Sequence, residues 1–176
     1  EQRYLDLVND AYDNDKLMGM VQSKKENNTV YNVGCLGKIS DYQKSEDGRI
    51  FVNLTGITRF EIVDEKVNGK LYREFKVNYR NFENDLTGEQ DKISSSDLMK
   101  KAKIFFNKNG LLLNWNEFEK LNQTQKINTL SMIAPVTNEE KQKLLEAVSL
   151  NEKLKTLEQI INFYLHEVNF KNQTVQ

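Results

Sequence analysis

Apolar residues alternate through the stretch from Asn27 to Phe82 and then recur at helical spacing from Leu98 onward, and no single kind of element satisfies both periods. The chain therefore reads as α+β, with a β half followed by an α half. In the first half Ile50, Val52, Leu54, Phe60 and Ile62 share one parity, and the small Gly56 and Thr58 lie between them where a long strand can twist or bend. Leu71, Phe75, Val77 and Tyr79 repeat the alternation. Asp47-Gly48 and Asn68-Gly69 separate these runs, and such dipeptides favour the positive φ angles of tight hairpin turns. The spacing predicts an antiparallel meander of Val33 to Gln43, Arg49 to Val63 and Lys70 to Asn81. A short helix over Glu1 to Asn14 and a buried strand within Lys16 to Gln22 precede it.

The stretch from Glu83 to Ser96 is polar and aperiodic, which divides the chain into a β-rich half (1–82), a connecting segment (83–96), a helical half (97–170) and a tail (171–176). Leu98, Ala102, Phe105 and Phe106 form one helical face that should end at Gly110. Thr137 with Glu140, and Ser149 with Glu152, have the spacing of a capping box. The last helix carries the clearest stripe: Leu150, Leu154, Leu157, Ile160, Ile161, Tyr164, Leu165 and Val168. It is short for a coiled-coil seam and lacks companion heptads, so packing inside a helical subdomain is expected.

Composition narrows the function classes. Twenty-five Lys and Arg against 26 Asp and Glu leave a net charge of -1, so no global field draws in nucleic acid or an anionic membrane. No apolar run is long enough to span a bilayer. Cys35 is the single cysteine, which excludes an internal disulfide and suits a reducing, cytoplasmic setting.

Residues that could carry chemistry have structural explanations. His166 is the one histidine, which removes multi-histidine metal sites and most acid and base catalysis at neutral pH. It reads as a surface or cap histidine. Cys35 has no histidine near it in sequence and reads as a strand residue. Gly34 to Ser40 superficially resembles a phosphate-binding loop. Its glycines are too close together, however, and no Ser or Thr follows Lys38 directly, so Gly34 and Gly37 are better explained by backbone bending or close approach. Glu139-Glu140 suits a helix start. Leu111, Leu112, Leu113 and Trp115 concentrate apolar surface just after a helix end, where they either anchor a partner or fill an interface within the protein.

Several segments, taken in order, resemble a known family. Lys16 to Gln22, Val33 to Ile39, Asp47 to Ile50 and Leu54 to Ile62 look like successive strand motifs of the LON domain. Gly110-Leu111 with Asn114-Trp115, Asn128 to Pro135 and Glu139 to Glu146 continue the similarity, here to the small stand-alone bacterial members. The resemblance implies a six-stranded PUA-like β-barrel or sheet followed by a helical bundle. It implies a non-catalytic domain that binds polypeptide and takes no cofactor and no metal. In Lon proteases ATP hydrolysis and Ser-Lys proteolysis belong to later domains, so neither activity is expected here. Family members carry an apolar, Pro-containing strand before the segment that Arg3-Tyr4-Leu5 resembles. That strand is absent, and an open sheet edge is expected beside Val33 to Gln43 or Lys70 to Asn81.

The partners expected are unfolded or extended polypeptides, with a protease or chaperone as an associated factor. The contact surface is placed at or near the junction of the halves, with Met18, Met20, Leu111, Leu112, Leu113 and Trp115 as the binding residues. Two other classes stay open: a PUA-like module for RNA or a small ligand, and a peptidase in its own right.

Overall fold

The computed structural model describes residues 1–24, 29–87 and 95–173, the last seven of these as backbone. The chain divides into two compact units, 1–89 and 90–176. Asn27, residues 88–94 of the connecting segment, the side chain of Val168 and the end of the tail lie outside the described residues.

In the first unit, α1 (Gln2–Asp13) leads into a chain reversal at Lys16, whose φ is 60°. Four antiparallel strands follow: β1 (Leu17–Met20), β2 (Val33–Lys44), β3 (Ile50–Lys66) and β4 (Glu74–Asn78), hydrogen-bonded in that order. Register jumps leave Ile57 of β3 and Ser40 of β2 without direct partners. The first of these bulges lies between Gly56 and Thr58, the place where bending was expected. Gly48 takes φ 84° in the β2–β3 turn, and Arg49 N–H donates to Asp47 Oδ1.

Two expectations need correction. The β3–β4 connection is a wide loop of residues 67–73 and not a tight turn at Asn68-Gly69, because Asn68 Oδ1 accepts from Lys70 N–H and curls the chain locally. The fourth strand is correspondingly shorter than Lys70 to Asn81. The sheet has four strands among the described residues where the resemblance implied six, and it does not close into a barrel. An open edge was expected beside Val33 to Gln43 or Lys70 to Asn81; among the described residues the edge strands are β1 and β4. Ile39 N–H bonds to Lys16 O at 2.7 Å, and beyond it β2 continues to Lys44 with no strand partner on that side among the described residues; β4 is the far edge.

After β4 a 3-10 turn (Arg80–Phe82) and the one-turn α2 (Asn84–Thr87) are clasped onto β3. Arg59 donates to both oxygens of Asp85, from Nε at 2.9 Å and Nη2 at 2.8 Å, and its guanidinium lies over the buried Phe82 ring. Part of the stretch that reads as a polar connector is thus docked structure.

The second unit contains α3 (Ser96–Lys108), α4 (Trp115–Glu119), α5 (Gln123–Ile133), α6 (Asn138–Glu146) and α7 (Leu150–Gln173). α3 ends in a Schellman motif, since Gly110 takes φ 67°, its N–H bonds Asn107 O, and Leu111 N–H bonds Phe106 O. The capping box at Thr137 and Glu140 is complete, and an unforeseen one joins Asn122 to Gln125. At Ser149 the Oγ accepts from Glu152 N–H, while the Glu152 carboxylate accepts from Val148 N–H. The α7 stripe packs inward: Leu154, Leu157, Ile160 and Ile161 are buried with Phe105, Phe106 and Ile127, and Leu150, Tyr164 and Leu165 pack against this core. The second unit thereby buries its longest apolar stripe within itself.

Candidate functional site

The first unit contains an open groove of about 790 Å³. It exists because the sheet curls without closing, so that β1 and β4, its opposite edges, line one cavity. Leu36 and Phe60 contribute from the central strands, and Tyr4, Leu7 and Ala11 from α1. Those three α1 residues share a helical face, yet no residue of α1 is buried and Tyr4 keeps 56% of its surface exposed. On β4 the apolar parity of Phe75 and Val77, continued by Tyr79, lines the groove, and the alternate residue Lys76 is exposed.

A polar cluster ties α1 to the β3–β4 loop across one end of this groove. Tyr72 Oη donates to Asp10 Oδ2 at 2.5 Å, and Lys70 Nζ lies 3.2 Å from the same oxygen and 2.9 Å from Glu74 Oε1. The hydrogen bond from Tyr72, then that from Lys70, holds the Asp10 carboxyl below its ordinary range. Lys70 is shifted up by its bonds to Tyr72, Glu74 and Asp10, and Glu74 is shifted down by Lys70 and then Asn68. The Tyr72 hydroxyl is pushed up by burial first and then by Asp10. Farther along α1, the Tyr12 ring stacks on Tyr42 at 4.3 Å, and Lys16 Nζ lies over the Tyr12 ring at 4.8 Å from its centroid. The helix is held at its margins by polar and ring contacts, while its apolar face looks into unfilled space.

The residues named from sequence divide sharply in exposure. Met18 is buried at 7% and Met20 is exposed at 55%, although both line the groove. In the second unit Leu113 and Trp115 pack against the helical core, with Trp115 edge-on to Phe106 and Phe118. Leu111 is partly exposed and Leu112 is fully exposed, carried outward by the Schellman turn. Tyr4, Leu7, Phe75 and Val77 were not singled out as binding residues. Their signal was present as two apolar stripes, but sequence alone does not say whether a stripe is covered.

The groups considered for chemistry are placed unfavourably for it. Cys35 is half-buried in β2; burial, and then nearby Asp85, push its thiol up, which keeps it protonated and weakly nucleophilic. Gly34 to Ser40 is β-strand throughout, and a Cβ on Gly34 would lie 2.6 Å from Met20 O and from Phe60 Cζ, so close approach accounts for this glycine. His166 is exposed on α7. Among the described residues no cluster of three His, Cys, Asp or Glu side chains is arranged to hold a metal ion. No described helix is long and apolar enough to cross a membrane.

Comparison with known proteins identifies the fold. The Lon N-terminal domain protein from Xanthomonas campestris superimposes with a TM-score of 0.63 at 19% identity, over 92% of this chain and 84% of that one. The N-terminal domain of the Mycobacterium avium complex Lon protease superimposes with a TM-score of 0.51 at 14% identity, over 82% and 77% of the two chains. Among curated proteins no sequence matches. The sequence profile of the ATP-dependent protease La (LON) substrate-binding domain matches residues 1–162, all of the first unit and most of the second, and the chain belongs to that family.

Proposed function

We propose that this chain is a non-catalytic polypeptide-binding domain that captures unfolded or extended chains, acting in protein quality control or as an adaptor for a protease or chaperone. The observation that carries this reading is the open groove of the first unit, in a member of a substrate-binding domain family. Its lining is mixed, with Met18 and Met20 from one edge strand and Phe75 and Val77 from the other beside charged residues such as Arg3, Lys66 and Arg73. Unfolded chains of unrelated sequence share apolar side chains and little else, so the apolar part of such a lining is what a general receptor for them needs. Leu111 and Leu112 of the second unit form a smaller apolar ledge that serves as a secondary contact.

Titration calorimetry with reduced, unfolded casein tests this, and binding on the order of micromolar is expected because ordering a flexible partner opposes association. Trp115 gives a second, local readout. It packs against Phe106 and Phe118 in the second unit, whereas the groove contains tyrosines and no tryptophan. Heat of binding with unchanged Trp115 fluorescence is the expected result. No heat at concentrations well above that range, while a folded protein or an RNA binds, overturns the reading.

A further inference from the structure

The chain contains two Asn-Gly dipeptides, Asn68-Gly69 in the β3–β4 loop and Asn109-Gly110 at the end of α3. An asparagine before glycine can consume its own side chain: the glycine nitrogen attacks the asparagine Cγ, and a succinimide ring closes with loss of ammonia. Glycine permits this because it puts no side chain in the way. The two sites share this chemistry, and the fold makes them unequal.

At Asn109 the reacting nitrogen is committed elsewhere. Gly110 N–H donates to Asn107 O at 3.1 Å, Gly110 holds φ at 67° in the Schellman motif, and Asn109 Nδ2 donates to Phe105 O at 2.8 Å. Ring closure there requires the end of α3 to unwind. In the β3–β4 loop the Gly69 N–H makes no hydrogen bond among the described residues, its φ is outside the positive range, and a Cβ on Gly69 would meet nothing within 4 Å. Lys70 N–H donates at 3.0 Å to Asn68 Oδ1, the oxygen that gains negative charge as the nitrogen adds to Cγ. Asn68 Nδ2 donates at 2.7 Å to Glu74 Oε2, and this is the bond that the reaction destroys.

We propose that Asn68-Gly69 is a self-modifying site whose product unfastens the β3–β4 loop. The Gly69 nitrogen gives up its proton and bonds to Asn68 Cγ, the Cγ–Nδ2 bond breaks, and ammonia departs with that proton. Water then opens the ring at either carbonyl, leaving aspartate or isoaspartate at position 68. The new carboxylate sets a charged acceptor against Glu74 Oε2 where an N–H donor stood, so repulsion replaces attraction. Glu74 also bonds Lys70, and Lys70 and Tyr72 of the same loop hold Asp10 of α1. The modification slackens the loop first and the Asp10 contacts through it. It does not depend on what the groove binds.

The folded protein is incubated at mildly alkaline pH, where the glycine nitrogen loses its proton more readily, and is then digested. Peptide mass spectrometry follows amide-to-acid conversion at both positions, and an isoaspartyl methyltransferase detects the isoaspartate. Conversion at Asn68 should outrun that at Asn109 by roughly tenfold or more, a ratio set by the local opening that α3 requires. In urea, with both sites unfolded, the two rates should agree to within about threefold. Equal rates in the folded protein, faster conversion at Asn109, or no conversion at Asn68 in the time it takes in urea overturns the site. Asn68→Asp supplies the aspartate product at once and tests the consequence. Amide exchange of residues 67–73 should be at least about threefold faster than in the parent, with the second unit unchanged. Exchange no faster in the loop, or faster in both units alike, overturns the unfastening.

Discussion

A β-carbon placed on Gly34 would meet the Met20 carbonyl oxygen and Phe60 Cζ at 2.6 Å and Val21 Cγ1 at 2.7 Å. The first of these is backbone and cannot swing aside. Gly34→Ala should therefore force β1 away from β2 and destabilise the first unit by about 1–3 kcal/mol, seen as a lower urea midpoint with an unchanged slope. Gly69→Ala is the matched control, because nothing lies within 4 Å of the added carbon and its φ is not in the positive range; no loss of stability is expected there. A midpoint for Gly34→Ala equal to that of the control would show that the contact relaxes. The need for glycine at this position was partly legible from sequence, since a phosphate loop was excluded by spacing and backbone bending or close approach remained; the structure shows close approach. The contrast between Met18 and Met20 was not legible. They share a parity on one four-residue strand, and only the elements laid over each decide which is covered.

At the scale of elements, α1 has no buried residue and a tether centred on Asp10. The Asp10 carboxyl lies below its ordinary value, so its contacts favour the ionised form. Their contribution is complete above the ordinary aspartate range and disappears as pH falls through the depressed value. Lys70 is shifted upward, so its share is complete below the ordinary lysine value and is lost only in strong alkali. Amide-exchange protection of residues 2–13, corrected for intrinsic rates, should consequently be flat around neutrality and fall below about pH 4. In Asp10→Asn it should already be reduced at neutral pH and change little on acidification. Equal profiles for the two proteins would show that the tether does not hold the helix. The existence of α1 was plain from its spacing, as were the meander and the capping box at Thr137, because period and capping are local properties. The β3–β4 loop was misread because Asn68-Gly69 has the composition of a tight turn, whereas the Asn68 side chain bonds within a longer loop and to Glu74. The box at Asn122 escaped notice because Asn and Gln form it in place of the commoner hydroxyl and carboxylate.

For the whole molecule, the division into β and α halves was legible because a change of hydrophobic period is written along the chain. An open edge was expected, but the groove was not, because which side chains line the space between β1 and β4 is decided by long-range pairing. Two exposed apolar side chains now separate the units as seats of binding: Met20 beside the groove and Leu112 on the ledge after α3. Replacing either by glutamine keeps a similar shape and removes an apolar contact, and neither side chain is needed for its own core. Burying most of a methionine contributes about 1.5 kcal/mol or more, so Met20→Gln should weaken the binding of unfolded casein by roughly tenfold. Leu112→Gln should change it by less than about twofold, since the fully exposed side chain makes at most a peripheral contact. Circular dichroism and the urea midpoint should stay unchanged in both, which ties any loss to contact and not to unfolding. The reverse pattern, with Leu112→Gln impaired, Met20→Gln normal and Trp115 fluorescence responding to casein, would move the binding surface to the helical unit and leave the groove without a role in it.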